Sequence, residues 1–355
     1  MKTFAILIEP ASYTVDRNKK VYEPRNIEYC YLKNNSKASN ISSDAICIEG
    51  YSLLKKIQFL NKILKNYDSI IMNGYINSEF VILFILNFYH KKPIGIDSDT
   101  QFSLPKNLLK ASFKKVYLNY IFRNKYLFGL AGGSNNHFAL FRNFGMPVSH
   151  IFLMPMMVDN DKFSNDNYQN KQIDTFNFLY VGRLVEQKNI KMLILAFEEI
   201  ANKYSSAKLL IAGEGALSEA LKQENYHNTN IIFLGAKFNN DLIEVYRNGH
   251  VLILPSTYEP WGLVVNEALS AGIPVIVSDK VGAAFDLVAL PKTGFIFNSE
   301  KPQELVDAME SMISNTNLYK EFAENGYLHM KNNWNFDLYN KCLDDLFFSM
   351  EGSIK

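Results

Sequence analysis

The second half of the chain alternates short apolar runs with amphipathic stretches. The apolar runs are FNFLYVG (176–182), AKLLIAG (207–213), NIIFLG (230–235), VLILPS (251–256), PVIVSD (274–279) and GFIFN (294–298). Helix-like stretches such as 189–204 and 239–248 lie between them. Runs this short and apolar indicate strands buried on both faces, and their alternation with helices indicates a parallel sheet. Because crossovers are right-handed, the pattern predicts a doubly wound, Rossmann-like domain.

The first half alternates in the same way, with a less regular pattern. Its candidate strands are FAILIE, IEYCYL, AICIEG, SIIMNG, PIGID, FGLAG and IFLMP. Candidate helices cover 53–64 and 79–90, and residues 302–350 read as helical. The polar stretch 164–174 lacks hydrophobic periodicity, so it is predicted to link a first α/β domain, 1–163, to a second, 175–316.

Composition narrows the class of protein. The 355 residues are 48% hydrophobic with a formal charge of +1, which excludes a disordered chain, a collagen-like chain and a disulfide scaffold. The longest apolar run, 80–89, is shorter than the ~20 residues that span a bilayer. The start of the chain reads as a buried strand rather than a signal peptide. Cys30, Cys47 and Cys342 fit reduced, buried thiols, so we expect a cytoplasmic protein.

Two glutamates give the sharpest chemical signal. Glu259 and Glu267 are separated by seven residues in STYEPWGLVVNEALSAGIPVIVSD, where the first follows a strand and the second lies in the next helix. That helix is expected to begin near 261–262. Its first N–H groups, about Gly262 to Val264, would then form an anion site suited to phosphate. Glu267, about 1.5 turns into the helix, could accept hydrogen bonds from a ribose diol.

These motifs resemble the signature of retaining glycosyltransferases of family 4, which have the GT-B fold. The resemblance covers about 170–300 and includes YVGRLVEQKN, LLIAGEG and FLGAKFNNDLIEVYRNGHVLILPS in that order, before the two glutamates. It implies an α/β protein with two Rossmann-like doubly wound domains facing each other across a cleft. It also implies C-terminal helices, 317–355, that cross back to the first domain, which is itself only weakly similar.

The resemblance assigns the second domain to a nucleotide-sugar donor. Arg183 and Lys188 follow a strand in GRLVEQKN, where two cations can neutralise a departing diphosphate. They are the expected catalytic residues together with Glu259, which would contact the donor sugar. The expected donor site comprises Gly182, Arg183, Lys188, Gly213, Glu214, Lys237, Phe238, Glu259, Pro260, Trp261, Gly262, Leu263, Val264 and Glu267. No cofactor is expected, because the nucleotide sugar, UDP-linked first and GDP-linked second, is a co-substrate.

The acceptor side departs from the family pattern. No Gly-rich loop follows the first strand, and Gly74 and Tyr75 stand where a cleft histidine is expected. Asp97 and Asp99 are candidates for facing the acceptor; a solvated loop and a Mg²⁺ or Mn²⁺ site remain alternatives, and no metal is expected. His137, His150 and His250 are predicted to be structural or exposed.

Residues 105–130 combine six Lys/Arg with many aromatic and aliphatic residues. This composition fits a peripheral membrane surface, a nucleic-acid groove, or a core helix with a solvated basic side. Residues 1–160 carry 20 Lys/Arg against 11 Asp/Glu, whereas 161–355 carry 17 against 25. The basic first half favours attraction to an anionic membrane over binding to nucleic acid.

The sequence therefore predicts a retaining, metal-independent hexosyl- or N-acetylhexosaminyl-transferase on the inner face of the cell membrane. Its acceptor would be a lipid-linked or oligosaccharide chain in the synthesis of lipopolysaccharide O-antigen, capsule or exopolysaccharide. The alternative is a nucleotide-sugar-binding GT-B protein without transferase activity that serves as a partner subunit. A dehydrogenase is disfavoured because no G-x-G-x-x-G follows an early strand.

Overall fold

The structure, a computed structural model, describes residues 1–34, 46–105, 107–170 and 174–354. The chain forms two compact units. Unit 1 comprises Met1–Met157 and Phe336–Lys355, and unit 2 comprises Val158–Asn335.

Unit 1 is built on a parallel sheet with the strand order β3-β2-β1-β4-β5-β6-β7. Its strands are β1 (Thr3–Leu7), β2 (Glu28–Tyr31), β3 (Ile46–Cys47), β4 (Ser69–Asn73), β5 (Ile94–Ser98), β6 (Leu127–Ala131) and β7 (Ile151–Leu153). The central strands β1, β5 and β6 are buried along their whole length. This explains why β1 and β6 read as apolar runs rather than as an alternating pattern, whereas β5 ends on the buried polar residues Asp97 and Ser98.

The helices of unit 1 connect these strands. They are α1 (Ser12–Arg17), α2 (Leu53–Asn66), α3 (Ser78–His90), α4 (Leu108–Phe122), α5 (Asn136–Asn143) and the C-terminal α13 (Phe336–Ile354), with short helical turns at Asn18–Tyr22 and Val148–His150. Asn77 caps α3 by accepting a 2.8 Å hydrogen bond from the Phe80 N–H. Apolar side chains of α2, α3 and α4, including Leu60, Leu83 and Phe122, enter the same core as the strands.

Unit 2 has a second parallel sheet, with the order β10-β9-β8-β11-β12-β13. Its strands are β8 (Phe176–Val181), β9 (Ala207–Ala212), β10 (Ile231–Gly235), β11 (Val251–Leu254), β12 (Val275–Ser278) and β13 (Gly294–Phe297). Its helices are α6 (Asn160–Phe163), α7 (Ile190–Lys203), α8 (Ser218–Glu224), α9 (Asn239–Asn248), α10 (Leu263–Ser270), α11 (Pro302–Ser314) and α12 (Thr316–Asn332), with helical turns at Tyr168–Asn170, Glu186–Lys188 and Ala284–Ala289.

The two doubly wound sheets confirm the predicted α/β class, and each predicted apolar run holds one of the strands named above. The chain returns to unit 1 at Phe336, whereas α12 belongs to unit 2. The helical region after residue 316 is thus shared between the units instead of joining the first as a whole. Among the described residues, no helix is both long and apolar enough to cross a membrane.

Candidate functional site

The turn between β11 and α10 places the residues of the EPWG motif. Strand β11 ends at Leu254, and α10 starts at Leu263, one residue after the expected start at 261–262. Gly262 sets this start, because its φ of +99° lies in the left-handed region that favours glycine. A Cβ on Gly262 would also lie 2.9 Å from the Leu254 side chain. The first N–H groups of α10, which have no partner within a helix, therefore follow directly on the motif.

Lys188 and Glu259, which the sequence predicts separately, form an ion pair through the ammonium and Oε2. Both side chains are largely buried, with 14% and 13% exposed. The Ser256 hydroxyl also donates to Glu259 Oε2, at 3.3 Å. Because β8 and β11 are parallel neighbours, the loops after both strands meet at the carboxyl edge of the sheet. The pair thus lies where open α/β sheets bind ligands.

Backbone contacts fix the position of Glu259 from the other side. Its N–H donates to the Lys280 carbonyl at 3.1 Å, and its own carbonyl accepts from the Gly282 N–H at 3.0 Å. Glu259 and Val281 form an isolated parallel bridge, so the motif is tied to the segment after β12 as well. The carboxylate is consequently held on a rigid backbone.

Gln187 joins the two loops that carry Lys188 and Glu259. Its carbonyl accepts from the Thr257 N–H at 2.9 Å, and its Nε2 donates to the Tyr258 carbonyl at 2.6 Å. Sequence reasoning did not find this residue, because a glutamine between two charged positions reads as an ordinary turn. Gln187 fixes the spacing of the ion pair through main-chain contacts.

Arg183 lies at the same edge with its side chain exposed. Its carbonyl accepts a 2.9 Å hydrogen bond from the hydroxyl of buried Tyr180 on β8. No ion pair joins its guanidinium to any residue that the structure describes. Arg183 therefore combines a fixed backbone with a cation that remains available to an anion.

Glu267 lies on α10 and accepts a 2.5 Å hydrogen bond from the Tyr246 hydroxyl. Tyr246 lies on α9, is 1% exposed, and meets the Phe163 ring edge-to-face with centroids 5.7 Å apart. Burial raises the pKa of Glu267 to about 7, although the Tyr246 hydroxyl acts to lower it. Sequence reasoning missed Tyr246, since an aromatic residue on an amphipathic helix reads as part of the core.

The side chain of Trp261 is buried in the core. The indole is 1% exposed, donates from Nε1 to Asn266 Oδ1 at 2.8 Å, and stacks on Trp334 with centroids 5.6 Å apart. Because the side chain is buried, only the backbone of Trp261 remains a candidate for the predicted contact with the donor. Pro260, Leu263 and Val264 are partly exposed beside it.

Gly182 and Gly213 allow two loops to approach closely. A Cβ on Gly213 would lie 1.8 Å from the Gly182 carbonyl oxygen, so only glycine fits there. The Glu214 side chain is exposed, and its carbonyl accepts from the Leu184 N–H at 3.0 Å. These glycines are therefore required for the packing of the two loops. The predicted backbone contacts to a nucleotide would be a second role for the same residues.

Lys237 and Phe238 lie after β10. Phe238 is 71% exposed, and Lys237 lines an open groove of about 580 Å³ between α9 and the face of the sheet. The groove is also lined by Asn177, Lys208 and Glu244, and by none of the other expected donor residues. The end of β10, just before Lys237, contacts the loop after β9, because the Gly213 N–H donates to the Gly235 carbonyl at 2.8 Å.

The acidic candidates of unit 1 lie at the end of β5. Asp97 is buried and pairs with Arg17 at 3.2 Å, and it accepts a 2.7 Å hydrogen bond from Asn73. Burial raises the pKa of Asp97, whereas the Arg17 guanidinium acts to lower it. Asp97 is thus engaged inside unit 1, and Asp99 is the partly exposed carboxylate of the two.

The remaining candidates are metal ligands and histidines. Within the described ranges, no group of three or more His, Cys, Asp or Glu residues is arranged to hold a metal ion. His150 stacks on Phe128, and His250 accepts a hydrogen bond from the Asn177 N–H, so both have the structural surroundings expected of them.

Comparison with known proteins agrees with this geometry. Residues 161–329 match the model of the family "Glycosyl transferases group 1", which covers most of unit 2. The capsular polysaccharide biosynthesis glycosyltransferase CapM of Staphylococcus aureus is 28% identical over 194 residues, 54% of this chain and 50% of CapM. An uncharacterized glycosyltransferase of Methanocaldococcus jannaschii is 32% identical over 43% of this chain and 40% of its own. The chain thus matches half or less of the length of these curated relatives.

Solved structures resemble the chain over its whole length. Anabaena Alr3699/HepE in complex with UDP superposes with a TM-score of 0.77 at 17% identity, covering 98% of this chain and 100% of the other. The lipopolysaccharide outer core galactosyltransferase WaaB superposes with a TM-score of 0.70 at 18% identity, covering 98% and 99%. At these identities the likeness shows the fold, which is the two-domain GT-B type.

Proposed function

We propose that the protein is a retaining glycosyltransferase that uses a nucleotide sugar, with a UDP-sugar first and a GDP-sugar second. The meeting of Lys188 and Glu259 beside the start of α10 carries the proposal. The match of 161–329 to group 1 glycosyl transferases supports the reaction class. The UDP and UDP-glucose complexes of Alr3699/HepE support a uridine donor.

Each group at the carboxyl edge has a chemical task in this proposal. Arg183, Lys188 and the first N–H groups of α10 would bind the diphosphate and stabilise its charge as it leaves, without requiring a metal ion. Glu259 would accept hydrogen bonds from sugar hydroxyls, and Glu267 from the ribose diol. Lys188 also neutralises Glu259. Donor phosphates would therefore share Lys188 with a carboxylate that is already in place.

The proposed acceptor is a lipid-linked or oligosaccharide chain of a cell-surface polysaccharide, and the transferred group is a hexosyl or N-acetylhexosaminyl unit. The names of CapM and WaaB, which refer to capsule and to lipopolysaccharide outer core, support this pathway. Asp99 is the carboxylate that we propose for the acceptor side. We further propose that the enzyme works in the cytoplasm on the inner face of the membrane.

The test measures UDP binding by calorimetry, and sugar transfer, for Lys188→Ala. A lost charge-assisted hydrogen bond is worth about 1.5–3 kcal/mol, so UDP should bind about 10- to 150-fold more weakly. Turnover should fall further, because the charge on the diphosphate grows in the transition state. Assays with EDTA should stay within a few-fold of those without it.

Lys191→Ala is the matched control, because Lys191 lies three residues away in an exposed pair with Glu224. It should leave both UDP binding and transfer unchanged. Unchanged UDP affinity and turnover in folded Lys188→Ala would remove Lys188 from the site. Complete loss of activity in EDTA, restored by Mn²⁺, would overturn the metal-independent mechanism.

A nucleotide-sugar-binding subunit without transferase activity is the second candidate. The absence of a Gly-rich loop after β1 and the residues Gly74 and Tyr75 at the end of β4 favour it. UDP-sugar binding without hydrolysis or transfer, across a panel of acceptors, would support this candidate over the enzyme.

A further inference from the structure

Helix α4 has an apolar stripe on its exposed side. Leu109, Phe113, Val116 and Tyr120 follow at spacings of four, three and four residues, which places them on one face of the helix. Their exposed fractions are 83%, 73%, 71% and 66%. The opposite face, with Leu118 and Phe122, is buried in the core of unit 1. The exposed stripe is thus separate from the face through which α4 packs on the rest of unit 1.

Helix α3 has a second stripe. Val81, Ile85 and Phe88 recur at spacings of four and three residues and are 39%, 60% and 54% exposed. The rings of Phe84 on α3 and Tyr120 on α4 meet edge-to-face with centroids 6.3 Å apart, so the two helices are neighbours. Contiguous apolar surface of this kind is uncommon on a monomer and marks an interaction site.

We call this surface the α3–α4 face and define it by the seven exposed apolar residues Val81, Ile85, Phe88, Leu109, Phe113, Val116 and Tyr120.

The charge around the α3–α4 face has one sign. No Asp or Glu occurs between Asp99 and Asp159 in the sequence, and the only acidic residue of α3, Glu79, is buried and paired with Lys56. Lys110 and Lys115 are exposed on α4, to either side of its stripe. Long lysine side chains in such positions can extend toward a charged surface while their stems cover apolar area.

We propose that the α3–α4 face docks on an anionic lipid bilayer. Phe113 and Tyr120 would lie at the level of the headgroups, and Leu109, Val116 and Ile85 would enter the acyl boundary. Lys110 and Lys115 would contact lipid phosphates. The proposal concerns a surface of unit 1 and stands independently of the donor site in unit 2.

The charge of the α3–α4 face favours a bilayer over a second copy of the chain as its binding partner. Two copies meeting through this face would bring lysines together without an acidic residue from α4 to neutralise them. An anionic bilayer supplies both an apolar interior and neutralising charge. It matches the face in both respects.

The structure also selects the lysines to test. Lys114 donates to the Ser103 carbonyl at 2.8 Å and lies over the Phe144 ring, 5.7 Å from its centroid. Its desolvation lowers its pKa, so Lys114 is occupied within unit 1. Lys110 and Lys115 are therefore the better pair for charge reversal.

The experiment is co-sedimentation of the full chain with vesicles of phosphatidylcholine alone or with 30% phosphatidylglycerol, at several salt concentrations. Binding is expected with the anionic vesicles at low salt and should weaken as salt shortens the Debye length. Leu109→Ser plus Phe113→Ser should lower the partition coefficient at least tenfold. Lys110→Glu plus Lys115→Glu should lower it similarly and abolish its salt dependence.

Matched controls carry equivalent changes on other surfaces. Leu195→Ser plus Phe348→Ser changes two residues that are 63% and 82% exposed outside the face. Lys320→Glu plus Lys341→Glu gives the same change in net charge at exposed positions. Both controls should bind vesicles like the unchanged protein, and all variants should bind UDP equally, which separates this test from that of the donor site.

Three results would overturn the proposal. The first is a protein that stays in the supernatant with anionic vesicles at low salt. The second is equal binding to both vesicle types at every salt concentration. The third is a dimer, measured by light scattering, that the serine variants dissociate while vesicle binding is unchanged; the face would then join two copies.

Discussion

The contact between Tyr246 and Glu267 links a core residue to the expected ribose contact. Tyr246→Phe removes the hydroxyl that donates to the carboxylate and lowers its pKa. The pKa of Glu267, about 7, should therefore rise, and less of the carboxylate should be ionised at neutral pH. We expect UDP to bind about 5- to 20-fold more weakly at pH 7, equivalent to about 1–1.8 kcal/mol.

The pH profile distinguishes this positioning role from general damage to the fold. Between pH 7 and 9, UDP affinity should rise as Glu267 ionises, and in Tyr246→Phe this rise should shift to higher pH. Calorimetry over that range measures it. Tyr226→Phe, at a tyrosine that is 73% exposed in the same unit, is the control. A Tyr246→Phe protein with an unshifted affinity profile would contradict the role.

The raised pKa of Glu267 also makes the stability of the protein depend on pH. The folded state holds the Glu267 proton more tightly than the unfolded chain, whose pKa is near 4.5. The free energy of unfolding should accordingly decrease as the pH rises from about 4.5 to 7. Partial exposure of Glu267 reduces the size of this effect.

At single residues, the sequence predicts chemical type better than it predicts partners. Lys188 could be selected because a cation after a strand end can neutralise a diphosphate, and Glu259 could be selected through the resemblance of its motif to family 4 glycosyltransferases. Their ion pair depends on β8 and β11 being neighbours, which is a property of strand order. Burial of Asp97 against Arg17 likewise joins positions 80 residues apart, which no local pattern reveals.

Among the elements, the close approach of the loops after β8 and β9 gives a prediction. In Gly213→Ala, the new Cβ would lie 1.8 Å from the Gly182 carbonyl oxygen, and φ of Gly213 is +149°. Rigid backbone must move to admit it, so we expect at least about 2 kcal/mol of lost stability. Chemical denaturation of both proteins measures the loss.

Gly352→Ala provides the matched control for that substitution. Gly352 lies in α13, and a Cβ there would meet nothing within 4 Å. Alanine should leave stability equal or higher, because it favours helix more than glycine does. Equal denaturation midpoints for the two variants would contradict the prediction, because the loops after β8 and β9 could then move apart without loss of stability.

The elements themselves follow from the sequence wherever one signal dominates. Apolar runs mark parallel strands, so the positions of β8–β13 were predictable from the sequence pattern. The edge strands β10 and β13 are only partly buried, however, and not buried on both faces as the runs predicted. The start of α10 was predicted to within two residues because Gly262 marks it. Assignment of α12 to unit 2 was not predictable, since its apolar face shows that it packs but not on which sheet.

For the whole molecule, the two units present different chemistry. The proposed donor site lies in unit 2, and the basic, apolar α3–α4 face lies in unit 1. Charge asymmetry between the halves predicted different partners for each. Sequence alone could not show that α3 contributes to the face, because its exposed stripe is hidden within an apolar run.

Hydrogen exchange of the full chain tests whether the nucleotide binds unit 2 and the lipid surface binds unit 1. UDP at 100 times its Kd should stabilise the bound form by about 2.7 kcal/mol, slowing exchange that requires opening of the site by up to about 100-fold. The slowed amides should lie in 182–189 and 256–267. Anionic vesicles should instead slow exchange in 78–90 and 108–122. Raising the salt concentration should reverse the vesicle effect more strongly, because many lipid contacts are screened together.

The Lys188→Ala protein sharpens the comparison, because it should lose the effect of UDP and keep the effect of vesicles. The Lys110→Glu plus Lys115→Glu protein should behave in the opposite way. Slowing by UDP that is greatest in α3 and α4 would place the nucleotide in unit 1 and contradict the assignment of the donor site. Vesicle protection confined to 182–189 would contradict the α3–α4 face in turn, since a bilayer would then contact the donor loops.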